Sequence, residues 1–271
     1  MKTGRRFPGS GGLSIICLLT AFCAGLLPSP VHADTCVLPP QHAGVTFPVE
    51  RVDPDWVCRL QSIVDDYTTA NKIGPIRSAL PESMYLYLLD RPPLAAALID
   101  RLELGLYRAE TRGPGRYWGS DGEGIQGIVQ LVYQDPTSRI YYLEGSHKKR
   151  FLPHITGKAV VLLRMSPVKE PGGAEAMDST MVSYTKLDNR ILSGLVSLLR
   201  PLIGGTVTRK LAKGVDVVNR LGQEMHLHPD RVLAKAADPP PLPEADIAFL
   251  KGLLGSPQHP GASPRTKTTT P

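Results

Sequence analysis

The segment MVSYTKLDNRILSGLVSLLRPLIGG (181–205) changes from one type of periodicity to another. Its first seven residues include the β-branched and aromatic side chains that are typical of a strand. A leucine-rich helical run begins at Asn189, and Asp188 or Asn189 can act as its N-cap. A strand that leads directly into a long apolar helix predicts a sheet covered by that helix.

The helical run, which we expect over 189–226, has an apolar first half with three interpretations. The half can cover a core, close over an apolar ligand as a lid, or lie on a membrane surface. It is shorter than the roughly 20 residues of a membrane span, and Arg200 and Pro201 interrupt it. We expect Pro201 and Gly204-Gly205 to kink or break the helix. Its second half is amphipathic and is predicted to be more exposed and to leave the sheet. The apolar face of that second half contains Val207, Leu211, Val215, Val218 and Leu221.

Six strand candidates precede the helix, and turns rich in Gly, Pro and Asp separate most of them. Short turns between consecutive strands predict an antiparallel meander rather than a parallel sheet. The candidates are LYRAETR (106–112), RYWGSDG (116–122), GIQGIVQLVYQD (124–135), SRIYYLEGSH (138–147), KAVVLLRMS (158–166) and AMDSTMVSYTKL (176–187).

Helical patterns dominate the chain before residue 105. The segment that begins at Asp53 predicts a helix with Asp53 as N-cap and Pro54 as its first residue. LPESMYLYLLD (80–90) and DRPPLAAALIDRLEL (90–104) follow as helices, the second capped by Asp90. The sequence therefore predicts an α+β fold, with an antiparallel meander sheet of about six strands covered by helices and a long C-terminal helix.

The N-terminus has the pattern of a secretory signal peptide. A basic start is followed by an apolar run (13–27) and by small residues at Val31 and Ala33. We expect cleavage between Ala33 and Asp34, with an uncleaved anchor as the alternative. This predicts an exported protein, in the periplasm of a Gram-negative cell.

The remaining chain is predicted to contain one domain. Its predicted parts are an extended segment (34–52), a single α+β domain (53–237), a short linker and helix (238–254), and a disordered tail (255–271). The net charge is +6, and it falls to +3 without the signal peptide, with 28 basic against 25 acidic residues. This weak bias does not indicate nucleic-acid binding. The basic run 147–150 is either a solvated loop or a weak contact with anionic lipid headgroups.

Two cysteines remain outside the signal peptide, Cys36 and Cys58. In an oxidising compartment they predict one disulfide, which would stabilise the fold by roughly 3 kcal/mol. The alternative is a redox or metal-binding pair, but the spacing is not CxxC and no histidine cluster is near.

His226, His228 and Asp230 could form a metal site. Their position at a predicted helix end is explained equally by the helix dipole and by chain termination. We therefore predict no metal site and no cofactor.

Other polar segments lack a catalytic signature. Asp121 and Glu123 could bind calcium weakly, although a hairpin turn also explains them. His147 and His154 could act as an acid or base, but the sequence shows no partner for either. The chain has no Gly-x-Ser-x-Gly and no phosphate-binding loop.

The segments YWGSDGEGIQGIVQLVYQD (117–135), RIYYLEGSH (139–147), GKAVVLLRMSP (157–167) and 181–205 together resemble the START / Bet v 1-like superfamily, also called polyketide cyclase and lipid-transport-like. The resemblance covers about residues 80–226. It implies a helix-grip arrangement, in which a curved sheet grips the C-terminal helix around a cavity for a hydrophobic molecule. Members usually begin with a strand before two short helices. Here the only candidate for that strand is MYLYLLD (84–90), which we interpret as helix.

The predicted function is non-catalytic binding or carriage of a lipid or other hydrophobic small molecule in a sheet–helix cavity. Glu144 and Asp178 could orient a polar head there, with a pKa raised by burial. The alternatives are a ligand-free structural or interaction protein of the cell envelope, or an enzyme of the same superfamily, although none of the family's catalytic residues can be assigned here. The predicted pocket wall contains Tyr133, Tyr142, Leu195, Leu199 and Leu202.

Overall fold

The computed structural model describes residues 36–148, 155–188 and 192–255, and it describes the side chains of α4 (defined below) only at Gly205 and from Thr208 onward. The described residues all belong to one compact unit that begins at Cys36. The predicted signal peptide and cleavage site, the tail after Gly255 and His154 lie outside the described residues.

The chain forms nine strands and six α-helices within these ranges. They are β1 (Gln41–His42), β2 (Val45–Thr46), α1 (Pro54–Val64), β3 (Thr69–Ser78), α2 (Glu82–Asp90), α3 (Pro92–Arg101), β4 (Arg108–Gly113), β5 (Arg116–Ser120), β6 (Ile125–Gln134), β7 (Ser138–His147), β8 (Ile155–Lys169), β9 (Glu175–Leu187), α4 (Leu192–Leu227), α5 (Pro229–Ala237) and α6 (Glu244–Leu254). A short 3-10 helix (Val49–Arg51) precedes α1.

Seven strands form one antiparallel sheet in the order β3-β9-β8-β7-β6-β5-β4, and β1 and β2 form a separate hairpin. The α+β class, the meander and the long C-terminal helix are confirmed. All six predicted strands are present as β4 to β9. The helices predicted from Asp53 and over 80–90 are also present, and the Asp53 carboxylate accepts a hydrogen bond from the Asp55 amide as a cap. Asp90, however, does not cap α3, whose N-cap is Arg91.

The sheet has one strand more than predicted, because β3 (Thr69–Ser78) completes it. Gly74-Pro75 lies in the middle of this strand, where the pairing with β9 shifts register between Ile73 and Ile76. Proline lacks an amide donor and is tolerated in sheets mainly at edges and bulges. β3 is an edge strand, so the Gly-Pro pair that argues against a strand in the sequence is accommodated here. The first strand expected from the family resemblance therefore precedes α2, and MYLYLLD is helical.

Each face of the sheet is covered by a different part of the chain. The outer face, as we call it, packs against α1 and the β1–β2 hairpin. It contributes Ile140, Tyr142, Val160, Leu162 and Val182 to a core with Leu60 and Ile63 of α1. The predicted disulfide is present between Cys36 and Cys58, and it ties the start of the described chain to α1.

The inner face packs against α2, α3 and the second half of α4. Leu163, Met165 and Met177 of the sheet join Leu98 of α3 and Leu221 of α4 in this core. α5 and α6 join the same core, through residues that include Val232 and Leu250.

Two predictions about α4, a break and a departure from the sheet, were wrong. The helix does not break at Pro201 or Gly204-Gly205 but continues from Leu192 to Leu227, since a proline removes only one helical hydrogen bond and neighbouring turns can continue. The predicted alternative to a break, a kink at these residues, stays a prediction. The second half does not leave the sheet, because α2, α3 and α5 supply apolar partners for it. Its buried line is Val217, Leu221 and Met225, whereas Val218 of the predicted stripe is 39% exposed.

A row of four glycines crosses the sheet in register. Gly119 pairs with Gly127, Gly127 with Gly145, and Gly145 with Gly157. A Cβ on Gly127 would lie 2.3 Å from the Glu144 carbonyl oxygen, and one on Gly157 would lie 2.8 Å from the Lys186 carbonyl oxygen. Since side chains alternate along a strand, these Cβ positions point to the inner face, and only glycine permits so close an approach of the strands there.

Candidate functional site

The inner face has an apolar region that is only partly covered. Because directly paired residues project to the same face, Val161 lies beside Tyr141, and Tyr141 beside Leu131. The next row contains Leu143 and its neighbour Val129. All five side chains are intermediate in burial, unlike the buried residues of either core. This region, with Ala159 opposite Leu143, is the candidate site, and we call it the inner apolar region.

α4 crosses the inner face beside this region and is tied to the sheet at two places. The Thr208 hydroxyl donates a hydrogen bond of 2.6 Å to Asn71 Oδ1 on β3. On the other side, Lys210 Nζ lies 2.6 Å from Asp121 Oδ2 in the β5–β6 turn and also pairs with Glu123. The helix therefore bridges β3, at one edge of the sheet, and the β5–β6 hairpin near the other.

The carboxylates of that turn act as partners of α4 lysines. Hydrogen bonds from Lys210 and Lys213 lower the pKa of Glu123 to about 2. For Asp121, burial alone would raise the pKa, but the Lys210 ammonium and the amides of Glu123 and Ile125 lower it overall. Both carboxylates are therefore ionised at neutral pH, and their charge is balanced by lysines of α4.

Three polar side chains lie on the inner face around the point where Thr208 of α4 meets Asn71, and we call them the polar cluster: Thr69, Asn71 and Ser183. Asn71 is directly opposite Ser183, and Thr69 is two residues from Asn71 on the same strand. Thr69 Oγ1, Asn71 Nδ2 and Ser183 Oγ are buried and have no hydrogen-bond partner among the described residues. Ser183 also lies directly beside Val161 of the inner apolar region. Polar and apolar parts of the candidate site are thus contiguous.

A tyrosine and an ion pair border the inner apolar region on the side of α2. Burial raises the pKa of Tyr141 to about 12, so its phenol stays neutral. The neighbouring Arg139 is buried and its guanidinium lies 2.6 Å from an Asp90 carboxylate oxygen. The positive charge of Arg139, beside the inner apolar region, is therefore neutralised by Asp90.

Four predicted pocket residues lie on the outer face instead. Tyr142 packs against Trp56 of α1, with ring centroids 5.2 Å apart, and its hydroxyl donates to Glu144. Tyr133 packs in the outer core and donates a hydrogen bond to Asp135. The prediction placed these side chains on the face below the C-terminal helix. The bulge between Leu131 and Tyr133 and the unexpected cover supplied by α1 explain the difference.

Asp178 is the fourth of these residues, and its predicted raised pKa was wrong. Two hydrogen bonds of 2.8 Å from Arg77 lower the pKa of its carboxyl group. Leu195, Leu199 and Leu202 lie in the helical backbone of α4, but their side chains are outside the described residues. Ligand contact by any of the predicted residues remains a prediction.

An open groove of about 440 Å³ lies on the outer face. Trp118, Ile128, Glu144 and Lys158 form one cross-strand row of its wall. Lys158 lies 3.6 Å from Glu144, and both side chains are about half exposed. The groove is therefore a shallow, partly charged surface.

His226 and His228 are exposed near the junction of α4 and α5. Among the described residues no three His, Cys, Asp or Glu side chains are grouped so that they could hold a metal ion. No helix in the described part of the chain has the length and apolar character needed to cross a membrane.

No known protein family matches this sequence, and no curated protein is significantly similar to it. Solved structures with a similar arrangement include a conserved protein from Geobacillus kaustophilus, with a TM-score of 0.43 and 10% identity, covering 58% of this chain and 95% of that one. Truncated norcoclaurine synthase from Thalictrum flavum has a TM-score of 0.36 and 16% identity, covering 59% of this chain and 95% of that one. A second norcoclaurine synthase structure from the same plant scores 0.34 at 16% identity, covering 58% and 88%.

With TM-scores below 0.5, these similarities carry no argument about activity. The fold assignment rests on the order of elements: one strand, two helices, six antiparallel strands and a long helix, with the first strand paired to the last. This arrangement fits a Bet v 1-like fold.

Proposed function

We propose that this protein binds a lipid or another hydrophobic small molecule between the inner face of the sheet and α4, without catalysing a reaction. The observation that supports the proposal is the inner apolar region. Its side chains, among them Leu131, Leu143 and Val161, stay partly accessible although a long helix crosses the same face. An apolar ligand that covers this surface removes it from water, and the hydrophobic effect therefore favours the complex.

The glycine row and the ties of α4 support the same proposal. The strands approach closely at Gly127 and Gly157, where a Cβ would meet a backbone carbonyl oxygen, and α4 is tied to β3 and to the β5–β6 turn on either side of this row. We propose that the sheet curves at the glycine row, so that α4 and the middle of the inner face enclose the binding site between these two ties.

Export to a periplasm is part of the proposal. The pattern of residues 1–33 and the disulfide between Cys36 and Cys58 support it, since disulfides persist in oxidising compartments. We propose a carrier or reservoir for an apolar molecule in that compartment, with weak contact to membrane surfaces through the basic run 147–150.

The first experiment is native mass spectrometry of the full chain purified from its own cells, followed by solvent extraction. We expect a stoichiometric apolar passenger that is lost on extraction. Ligand-free protein that also fails to enhance the fluorescence of N-phenyl-1-naphthylamine, an uncharged apolar probe, would contradict the proposal.

A matched pair of variants tests the location of the site. Ala159 and Lys158 are neighbours on β8 that project to opposite faces. Ala159→Trp should fill the inner apolar region and weaken binding of N-phenyl-1-naphthylamine at least tenfold, whereas Lys158→Trp on the outer face should leave it unchanged. A larger loss in Lys158→Trp than in Ala159→Trp would place the site in the outer groove instead.

A further inference from the structure

The polar cluster has more hydrogen-bonding capacity than the described residues satisfy. Within the described part of the chain, the buried atoms Thr69 Oγ1, Asn71 Nδ2 and Ser183 Oγ have no partner, and Ser183 is only 2% exposed. Buried polar groups are nearly always hydrogen-bonded, because burial without a partner is costly. Three such atoms on two paired strands therefore indicate a polar partner supplied from outside the chain.

The chemistry of that partner follows from the donors and acceptors. Asn71 Oδ1 already accepts the Thr208 hydroxyl, so the amide N–H group is what Asn71 offers. The hydroxyls of Thr69 and Ser183 can donate or accept. An oxygen acceptor, either a carbonyl or a hydroxyl, matches all three.

The same surroundings favour a neutral group. The polar cluster is uncharged, and the inner-face cations Arg139 and Lys210 are each paired with a carboxylate. A charged head buried here would find no unpaired counter-charge among the described residues, and burial without one is strongly unfavourable. Val161 beside Ser183 and Tyr141 beyond it then provide an apolar surface for the rest of the molecule.

We propose that Thr69, Asn71 and Ser183 form a polar subsite that binds the neutral carbonyl or hydroxyl oxygen of an otherwise apolar molecule. The inference rests on the proposed function and adds the class of ligand: long-chain ketones, alcohols or neutral esters rather than hydrocarbons or ionised fatty acids. A buried water held by the same three groups is the competing explanation.

The test uses the full chain and two probes that differ in one polar atom. 2-Dodecanone and dodecane each displace N-phenyl-1-naphthylamine, and the ratio of their displacement constants is measured in wild type, Ser183→Ala and Thr69→Val. Comparing ratios between variants cancels the difference in water solubility of the probes. We expect the preference for the ketone to fall about tenfold in each inner-face variant, the effect of one hydrogen bond.

Ser166→Ala is the matched control, since Ser166 is exposed on the outer face of β8, and it should leave the ratio unchanged. Because Ser183→Ala and Thr69→Val are tested separately, a folding defect in one of them does not prevent the measurement in the other. An unchanged ratio in both, with the fluorescent probe still bound, would overturn the polar subsite in favour of a buried water and leave the proposed function intact. Failure of every version of the protein to bind the fluorescent probe would instead overturn the proposed function and the subsite with it.

Discussion

His42 shows how burial of one residue connects stability to pH. Its ring is 2% exposed, and Nδ1 lies 3.1 Å from the Tyr184 hydroxyl of β9. Burial lowers the pKa of His42, and a hydrogen bond with the Pro39 carbonyl opposes this only in part. The β1–β2 hairpin is therefore fixed to the outer face by a neutral histidine.

This environment predicts lower stability in mild acid. The unfolded chain takes up the proton near the ordinary pKa of 6.5, whereas the folded chain takes it up only at lower pH. The contribution of His42 is thus complete above pH 6.5 and is lost as the pH falls toward its folded pKa. Urea unfolding at pH 7.5 and pH 5 should show this loss, and His42→Gln should reduce it. Exposed His228→Gln serves as the control, and an equal pH dependence in wild type and His42→Gln would contradict the assignment.

At the same scale, the residues of the candidate site were the hardest to predict. The sequence drew attention to aromatic and acidic side chains, namely Tyr133, Tyr142, Glu144 and Asp178. The structure instead places Thr69, Asn71 and Ser183 together on the inner face, where Asn71 contacts α4. These small polar residues give no signal in a strand pattern. Side chains alternate along β8, so Val161 and Ala159 lie on the same face as Leu163, which is the face that α4 covers. The alternation alone does not indicate which face α1 covers.

At the scale of elements, a close approach at Gly222 helps to position α4. A Cβ on Gly222 would lie 3.2 Å from both Ser78 Oγ and Leu80 Cγ, so the backbone of the helix packs directly on the side chains of these two residues at the end of β3. Gly214, two turns earlier on the same helix, has nothing within 4 Å of its Cβ position. The two glycines therefore differ in packing but not in secondary structure.

Substitutions of Gly222 and Gly214 can therefore be compared directly. Gly222→Val should destabilise the protein by about 1–3 kcal/mol through overpacking, whereas Gly214→Val should change its stability little, because valine is not a worse helix former than glycine. Chemical denaturation of both variants measures the difference. Equal stabilities would mean that α4 can move away from β3 at no cost.

For the whole molecule, the disulfide holds the outer cover. Cys36 and Cys58 are 22 positions apart in the chain, and they connect the segment before β1 to α1, which supplies Leu60 and Ile63 to the outer core. Cys36→Ser with Cys58→Ser should destabilise the protein by roughly 3 kcal/mol, as measured by urea unfolding without reductant. Wild type in reductant should have the same free energy of unfolding as the double variant. If the oxidised protein differs from both of these forms by less than about 0.5 kcal/mol, the disulfide is not needed to hold the outer cover.

The sequence by itself determined the class of fold, because hydrophobic periodicity, turn residues and helix caps are local signals. The meander from β4 to β9, the N-terminal helices and the long C-terminal helix all follow from them. Only the tertiary structure decided that β3 closes the sheet, that α1 covers the outer face, and that α4 stays on the inner face through Leu221 and Met225. Those outcomes depend on which surfaces meet. A Gly-Pro interruption is acceptable at an edge, and an apolar stripe acquires its orientation only from the partners that bury it.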